Sequence, residues 1–437
     1  MATDAARSER LPFLELGGFA LGSFGTGVYS TVPTILLLYY CTEILRLPAA
    51  TAAAIVFVPK VWAVVWDPVV GAWSDASRFA LGRRVPFLAA GAFGVSIAFM
   101  LVFHAPPGAG VMTVAWLLCS YFLLASCYSL FAVPYIAVPA ELNVGAAALE
   151  RVIAWRMALA MIGVLAGASA APYLVELTGG GPRGFGTMSV IIAAGTAIGM
   201  GLATLTVLRW TRRGAVALPA SADSPAVSMI LRDRAFVRLA AAYLLQLTGA
   251  GLLSAMTPYF VTQTLGLGGA YVAAVMGVLL AATIAGIPLW AWVLRRTEGY
   301  RACAWAAVGY AIACMLLWYI PSNGASGPAL AAYALLGLPF AGLQLVPFVL
   351  LAHRAHAAAG SAARQEGLYT GFWTAAEKVG LALGPAVAGI GLAALGHVSG
   401  AVAQTPSVLT GSRGLIAFAP PVFLFASLIV LPSRSTT

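Results

Sequence analysis

Apolar runs of about twenty residues, each long enough to cross a bilayer as a helix, recur along almost the whole chain. They predict twelve helices, at 17–44, 48–74, 85–105, 110–140, 150–176, 186–209, 236–264, 268–294, 301–320, 327–352, 367–396 and 412–432. Turn chemistry falls between them, at Pro106-Pro107-Gly108, Gly179-Gly180-Gly181-Pro182, Gly266-Leu267-Gly268-Gly269 and Ser322-Asn323-Gly324. The longest polar stretch is 210–234, with six helices on either side. The pattern therefore predicts an amino-terminal bundle over 1–209, a linker over 210–234 and a carboxyl-terminal bundle over 235–437.

Composition agrees with the pattern. The chain is 61% hydrophobic and 9% charged, against about 25% charged in a soluble domain. This implies an all-α polytopic membrane protein whose main partner is the lipid bilayer. The formal charge of +10 could suggest nucleic acid, but its distribution argues otherwise. Arginines gather in alternate loops: Arg78, Arg83 and Arg84; Arg151; Arg209, Arg212, Arg213, Arg232 and Arg234; Arg295, Arg296 and Arg301; Arg354 and Arg364. The opposite loops hold only Arg46, Arg183 and Arg413. Both termini and the basic loops are expected on the cytoplasmic side of a bacterial-type inner membrane. From the residues of its amino terminus, no removable signal peptide is expected. The five cysteines sit inside apolar runs without metal-ligand spacing and read as packing residues. No cofactor, metal or nucleic-acid partner is expected, and the protein is expected to be a monomer.

Asp67 interrupts the apolar run 52–73. An ionised carboxylate in hydrocarbon costs several kcal/mol at least, so it needs a partner, a water path or a proton to carry. That makes Asp67 a candidate coupling site. Lys378 lies twelve residues into the eleventh run and is the single lysine of the carboxyl half. Neighbouring Glu377 could satisfy part of its charge, or the side chain could snorkel. At the end of the second helix, Gly71 and Asp75 stand one turn apart, with Arg83-Arg84 close behind. They place charge at the membrane surface, as a clasp that breaks and reforms or as a solvated loop with topology arginines.

The segment Asp67-Pro68-Val69-Val70-Gly71-Ala72-Trp73-Ser74-Asp75, with Arg78 and Gly82-Arg83-Arg84, resembles the signature of one family, the glycoside–pentoside–hexuronide:cation symporters of the major facilitator superfamily. The resemblance continues in Val133-Pro134-Tyr135 to Glu141-Leu142 with Glu150-Arg151 and Arg156, and in Arg364-Gln365-Glu366-Gly367 with Lys378-Val379-Gly380. It implies a six-plus-six fold whose halves rock about a midplane site. It also implies a Lys378–Asp67 interaction, Ser129 as a surviving cation ligand, and Glu141 and Arg151 in the clasp. By match and helical position, Ser23, Tyr29, Tyr135, Arg156, Trp373 and Thr374 become substrate-binding candidates.

The chain also departs from that family. A second acid expected one turn before Asp67 is Ala63, and a polar neighbour is Trp66. Sodium prefers several oxygen ligands, whereas a proton needs one titratable group, so proton coupling is the expectation. Sugar-anchoring acids are replaced by Ser23 and Ala132. A less polar glycoside, or an amphipathic solute such as a lysolipid, becomes plausible. His353 and His356 replace a pair of aspartates; they could sense pH or bind metal, but read as a solvated helix end. The expectation is a proton-coupled symporter of a small organic solute, glycoside- or sugar-like, with a lysolipid as the alternative. A membrane-embedded enzyme acting on lipid-linked substrates would need an acid pair or metal constellation near a membrane surface, which the sequence does not offer. A non-transporting receptor would have no reason to keep Asp67 and Lys378.

Overall fold

The computed structural model describes residues 11–214, 232–322, 324–358, 364–401 and 403–431, with the backbone alone at 140, 146, 147, 352–358 and 364–371. The side chains of His353 and His356, and most of the 210–234 linker, lie outside that set.

Twelve helical elements run through the described residues. They are α1 (Phe13–Val32, running on through wider turns at Pro33–Leu37 and Tyr40–Ile44), α2 (Ala49–Ala76), α3 (Val85–Phe103) and α4 (Val111–Glu141). Next come α5 (Ala146–Leu165, continuing through Ala166–Ala170 into Ala171–Leu177), α6 (Gly181–Arg212) and α7 (Arg234–Tyr259, with a wide turn at Phe260–Thr264). The series ends with α8 (Ala270–Arg296), α9 (Gly299–Leu316, with a tight turn at Leu317–Tyr319), α10 (Ser326–Ala358), α11 (Arg364–Ala394) and α12 (Pro406–Val430). Among the described residues there is no strand.

Eleven of these helices are long and apolar enough to cross a membrane. α1 falls outside that group. It carries Glu15 and Gly17, Gly18, Gly22, Gly25 and Gly27, and its ladder loosens at Pro33, which has no N–H to donate. Proline also precedes the wide turn of α7, at Pro258.

Several ends differ from the hydropathy reading. α6 continues to Arg212 because Trp210 is buried: its ring lies 5.1 Å from that of Phe19, and its indole N–H donates to Glu15 Oε2 at 2.8 Å. Arg213 completes the arrangement by pairing with Glu15. A carboxylate in the first turn of α1 also suits that helix's dipole.

The chain divides into two compact units, one of residues 1–33 and 58–221, the other of 34–57 and 222–437. In the first, α1 packs on α5 and α6, and α3 on α4 and α6. In the second, α7 packs on α11 and α12, and α9 on α10 and α12. The second helix of each set is tied to the fourth by a tryptophan: Trp66 donates to Ser126 O at 3.3 Å, and Trp290 to Leu338 O at 2.8 Å. Close seams rest on glycine. A Cβ at Gly163 would strike Phe24 O and one at Gly27 would strike Ala160 O, in α1–α5; one at Gly384 would strike Leu252 N, in α7–α11.

Candidate functional site

The basic loop after α2 folds into a charge cluster within the first unit. Arg84 Nη2 lies 2.6 Å from Glu141 Oε1 and 2.6 Å from Asp75 Oδ1. Its Nη1 donates to Ser74 Oγ at 2.5 Å, and Arg83 Nη2 reaches the same Glu141 Oε1 at 2.5 Å. Glu141 ends α4, so the cluster ties the α2 end and the α3 start to α4. Arg84 and Glu141 are withdrawn from water, at 7% and 8% side-chain exposure, whereas Asp75 keeps 58%. Arg151 is exposed near the start of α5. At Gly71 an added Cβ would meet Val133 Cγ1 at an ordinary 3.6 Å, so no tight approach requires glycine there.

Asp67 lies half-buried in the middle of α2. On its own helix Ala63 is buried, and the Trp66 indole is turned onto the α4 backbone. Trp62 stacks beside Trp66 with centroids 5.6 Å apart, and donates to Ser126 Oγ at 3.0 Å. Ser129 is fully buried, and its hydroxyl donates to Ala125 O at 3.1 Å.

Ser23 and Tyr135 meet directly, Oγ to Oη at 3.0 Å, and the tyrosine hydroxyl donates to Phe19 O at 2.8 Å. The Arg156 guanidinium carbon lies 5.7 Å from the Tyr135 ring centroid, within cation–π range. Tyr29 stacks on Tyr128 at 3.6 Å between centroids. All of these belong to the first unit. In the second, Trp373 is fully buried and stacks on Tyr243 at 4.2 Å, with Phe348 edge-on at 5.7 Å. Thr374 and Lys378 are half-buried further along α11. Among the described residues, no group of three or more His, Cys, Asp or Glu side chains is arranged to hold a metal ion.

The sequence pattern of the family described as MFS/sugar transport protein matches residues 18–432. The chain belongs to that family. This family member is 25% identical to the Escherichia coli (strain K12) protein named "Putative glycoside/cation symporter YagG", over 95% of this chain and 90% of that one. It is 23% identical to the Bacillus subtilis (strain 168) symporter YjmB, over 97% of this chain and 92% of that protein. A shorter match, 26% identical over 34% of this chain and 29% of the other, is to the sodium-dependent lysophosphatidylcholine symporter 1 of Xenopus tropicalis. Among solved structures, a bacterial homolog of the human lysosomal transporter Spinster aligns with TM-score 0.69 at 13% identity, covering 96% of this chain and 95% of that one. The nucleoside transporter NupG aligns with TM-score 0.66 at 14% identity, covering 97% of this chain and 100% of that one. These structures establish a shared fold. The family resemblance read from the motifs is thus confirmed, and the protein is a multi-pass membrane transporter.

Several residues of this transporter's sites were not singled out in its sequence. Ser74 joins the Arg84 cluster as a neutral hydroxyl, and Tyr128, Ser126 and Tyr243 complete the aromatic and indole contacts. Neutral partners carry no charge or spacing signal. Glu15, an acid in the first turn of α1, did carry one, as did Trp210 beside the basic run that follows it.

Proposed function

We propose that this family member is a cation-coupled symporter of a small organic solute, with Asp67 as the coupling group and the proton as the coupling ion. The observation behind this reading is the face of α2 beside Asp67, which offers a buried alanine and an engaged indole in place of oxygen ligands. Hard cations are held by several oxygens. Ser129 adds a single buried hydroxyl whose hydrogen is already committed. Lys378 is proposed as the partner that Asp67 works with. The Arg84 cluster, with Gly71, Asp75, Arg83, Glu141 and Arg151, is proposed to break and reform during the cycle at the cytoplasmic surface of an inner membrane.

We assign solute binding to Ser23, Tyr29, Tyr135 and Arg156 in the first unit and to Trp373 and Thr374 in the second. Ser23 and Tyr135 spend their hydroxyls largely on each other and on Phe19 O. They shape a wall more than they anchor a polyol, which fits a glycoside with an apolar part. The similarity to YagG supports a glycoside. A second reading, a lysolipid, is supported by the aromatic character of these residues and by the lysophosphatidylcholine symporter match.

Uptake by proteoliposomes decides among these. The expected result is accumulation of a glycoside driven by an acid exterior with sodium absent. A strict sodium requirement would refute proton coupling. Accumulation of lysophosphatidylcholine alone would transfer the assignment to the second reading.

A further inference from the structure

Where α1 ends, the second unit contains a polar seam that is nearly its own mirror image. Residues 40–47 read Tyr-Cys-Thr-Glu-Ile-Leu-Arg-Leu, and residues 260–267 read Phe-Val-Thr-Gln-Thr-Leu-Gly-Leu. The two segments share their backbone. Leu45 N bonds to Tyr40 O and Leu47 N to Cys41 O; Leu265 N bonds to Phe260 O and Leu267 N to Val261 O, all at 2.9–3.0 Å. Arg46 is the single non-glycine with positive φ among the described residues, at 59°, and Gly266 in the matching place has 67°.

Side chains repeat the symmetry. Thr42 bonds the Tyr259 hydroxyl at 2.6 Å, and Thr262 lies 3.4 Å from that of Tyr39. Glu43 faces its own counterpart, Gln263, whose amide donates to Glu43 Oε2 at 2.9 Å. One residue breaks the symmetry. His397, from the connection between α11 and α12, places Nε2 3.4 Å from Glu43 Oε1 and 3.3 Å from Gln263 Oε1, with its side chain fully buried. Glu43 is 9% exposed. Glu43 Oε1 and His397 Nδ1 are buried without a hydrogen-bond partner.

We propose that Glu43, Gln263 and His397 form a proton-binding site distinct from Asp67, in which one proton shared between Glu43 and His397 fastens the end of α1 to α7 and to the α11–α12 connection. With that proton on His397, a cation lies against the carboxylate. With it on Glu43, a neutral carboxyl lies beside a neutral imidazole whose Nε2–H donates to Gln263 Oε1. Without it, a buried carboxylate faces a neutral ring, and the seam loosens. Burial pulls the His397 imidazole below its ordinary value, so a proton on the ring depends on the Glu43 carboxylate that faces it.

Among the described residues, the other groups at the seam titrate elsewhere. Tyr39, Cys41 and Tyr259 face the cluster, but phenols and thiols ordinarily ionise at more alkaline pH. Arg46 is exposed, and Arg413 of α12 is engaged with Ser322 Oγ at 2.6 Å.

The test is a double-mutant cycle on the full-length protein in detergent, read as thermal midpoint at about pH 6 and about pH 8, on either side of histidine's usual range and below the ordinary ionisation of thiols and phenols. Glu43→Gln gives a seam with an amide on both sides, chemistry that position 263 already accommodates, and His397→Gln removes the imidazole. The expected result is a coupling between the two changes at the acid pH that disappears at the alkaline one. Coupling equal at both, or absent at both, would overturn the site. If His397→Gln does not fold, infrared spectra of wild type and Glu43→Gln at the two pH values decide alone. Loss of one titrating carboxyl band in the variant supports the site, and an unchanged set of bands overturns it. Neither readout depends on transport, so the proposed symport can fail without affecting this outcome.

Discussion

Arg84 holds Ser74, Asp75 and Glu141 at once, and these contacts differ in worth. Glu141 is withdrawn from water, so removing its arginine leaves a buried charge, a change that costs about 3–5 kcal/mol when no other partner remains. Arg83 stays within reach of the same oxygen, which places Arg84→Gln at the lower end of that range. Asp75 is more than half exposed, and screened pairs of that kind contribute about 0–1 kcal/mol. Thermal midpoints of the purified variants should therefore fall in the order Arg84→Gln, then Arg83→Gln, with Asp75→Asn close to wild type. An Asp75 effect as large as that of Arg84 would contradict this ranking.

At the scale of helices, the glycine seams are the sharpest constraint. Gly163 faces Phe24 O so closely that a Cβ must displace main chain, not a flexible side-chain tip. Gly163→Ala should destabilise by about 1–3 kcal/mol, the range for overpacking. Gly201→Ala, with open space around it, should be neutral or slightly stabilising. Melting curves of the two variants check this, and equal effects would show that the seam is not tight. The helices themselves were legible because each needs only a local run of apolar residues. Charge at the α2 end was legible, because arginine pairs beside helix ends stand out; its pairing with Glu141 came from the family resemblance alone. The α1–α5 seam was not: many glycines look alike in sequence, and tertiary packing alone decides which of them meets backbone. The Ser23–Tyr135 pair, 112 residues apart, and the Glu43–His397 pair were hidden for the same reason. Wide turns near Pro33 and Pro258 carried a proline signal, but hydropathy does not distinguish a loosened turn from a regular one.

At the scale of the molecule, Asp67 belongs to one unit and Lys378 to the other, and the proposed cycle requires them to act together. Asp67→Asn should abolish accumulation against a gradient while leaving exchange, because a permanently neutral group mimics the loaded carrier but cannot release its proton. Asp67→Asn with Lys378→Ala should lose less thermal stability than the two single losses added. Strict additivity, or gradient-driven accumulation by Asp67→Asn, would separate the two residues.

The mirrored seam of residues 40–47 and 260–267 has the form of an isologous contact, the kind that two copies of one subunit make across a two-fold axis. In such a pair every substitution appears twice. Glutamate on both sides would set two carboxylates against each other, and glutamine on both sides could never titrate. Carrying both segments in one chain lets the two sides differ, so a single acid can face a single amide with one histidine beside them. Two segments of one chain are free of that constraint, which is what a site holding a single proton requires.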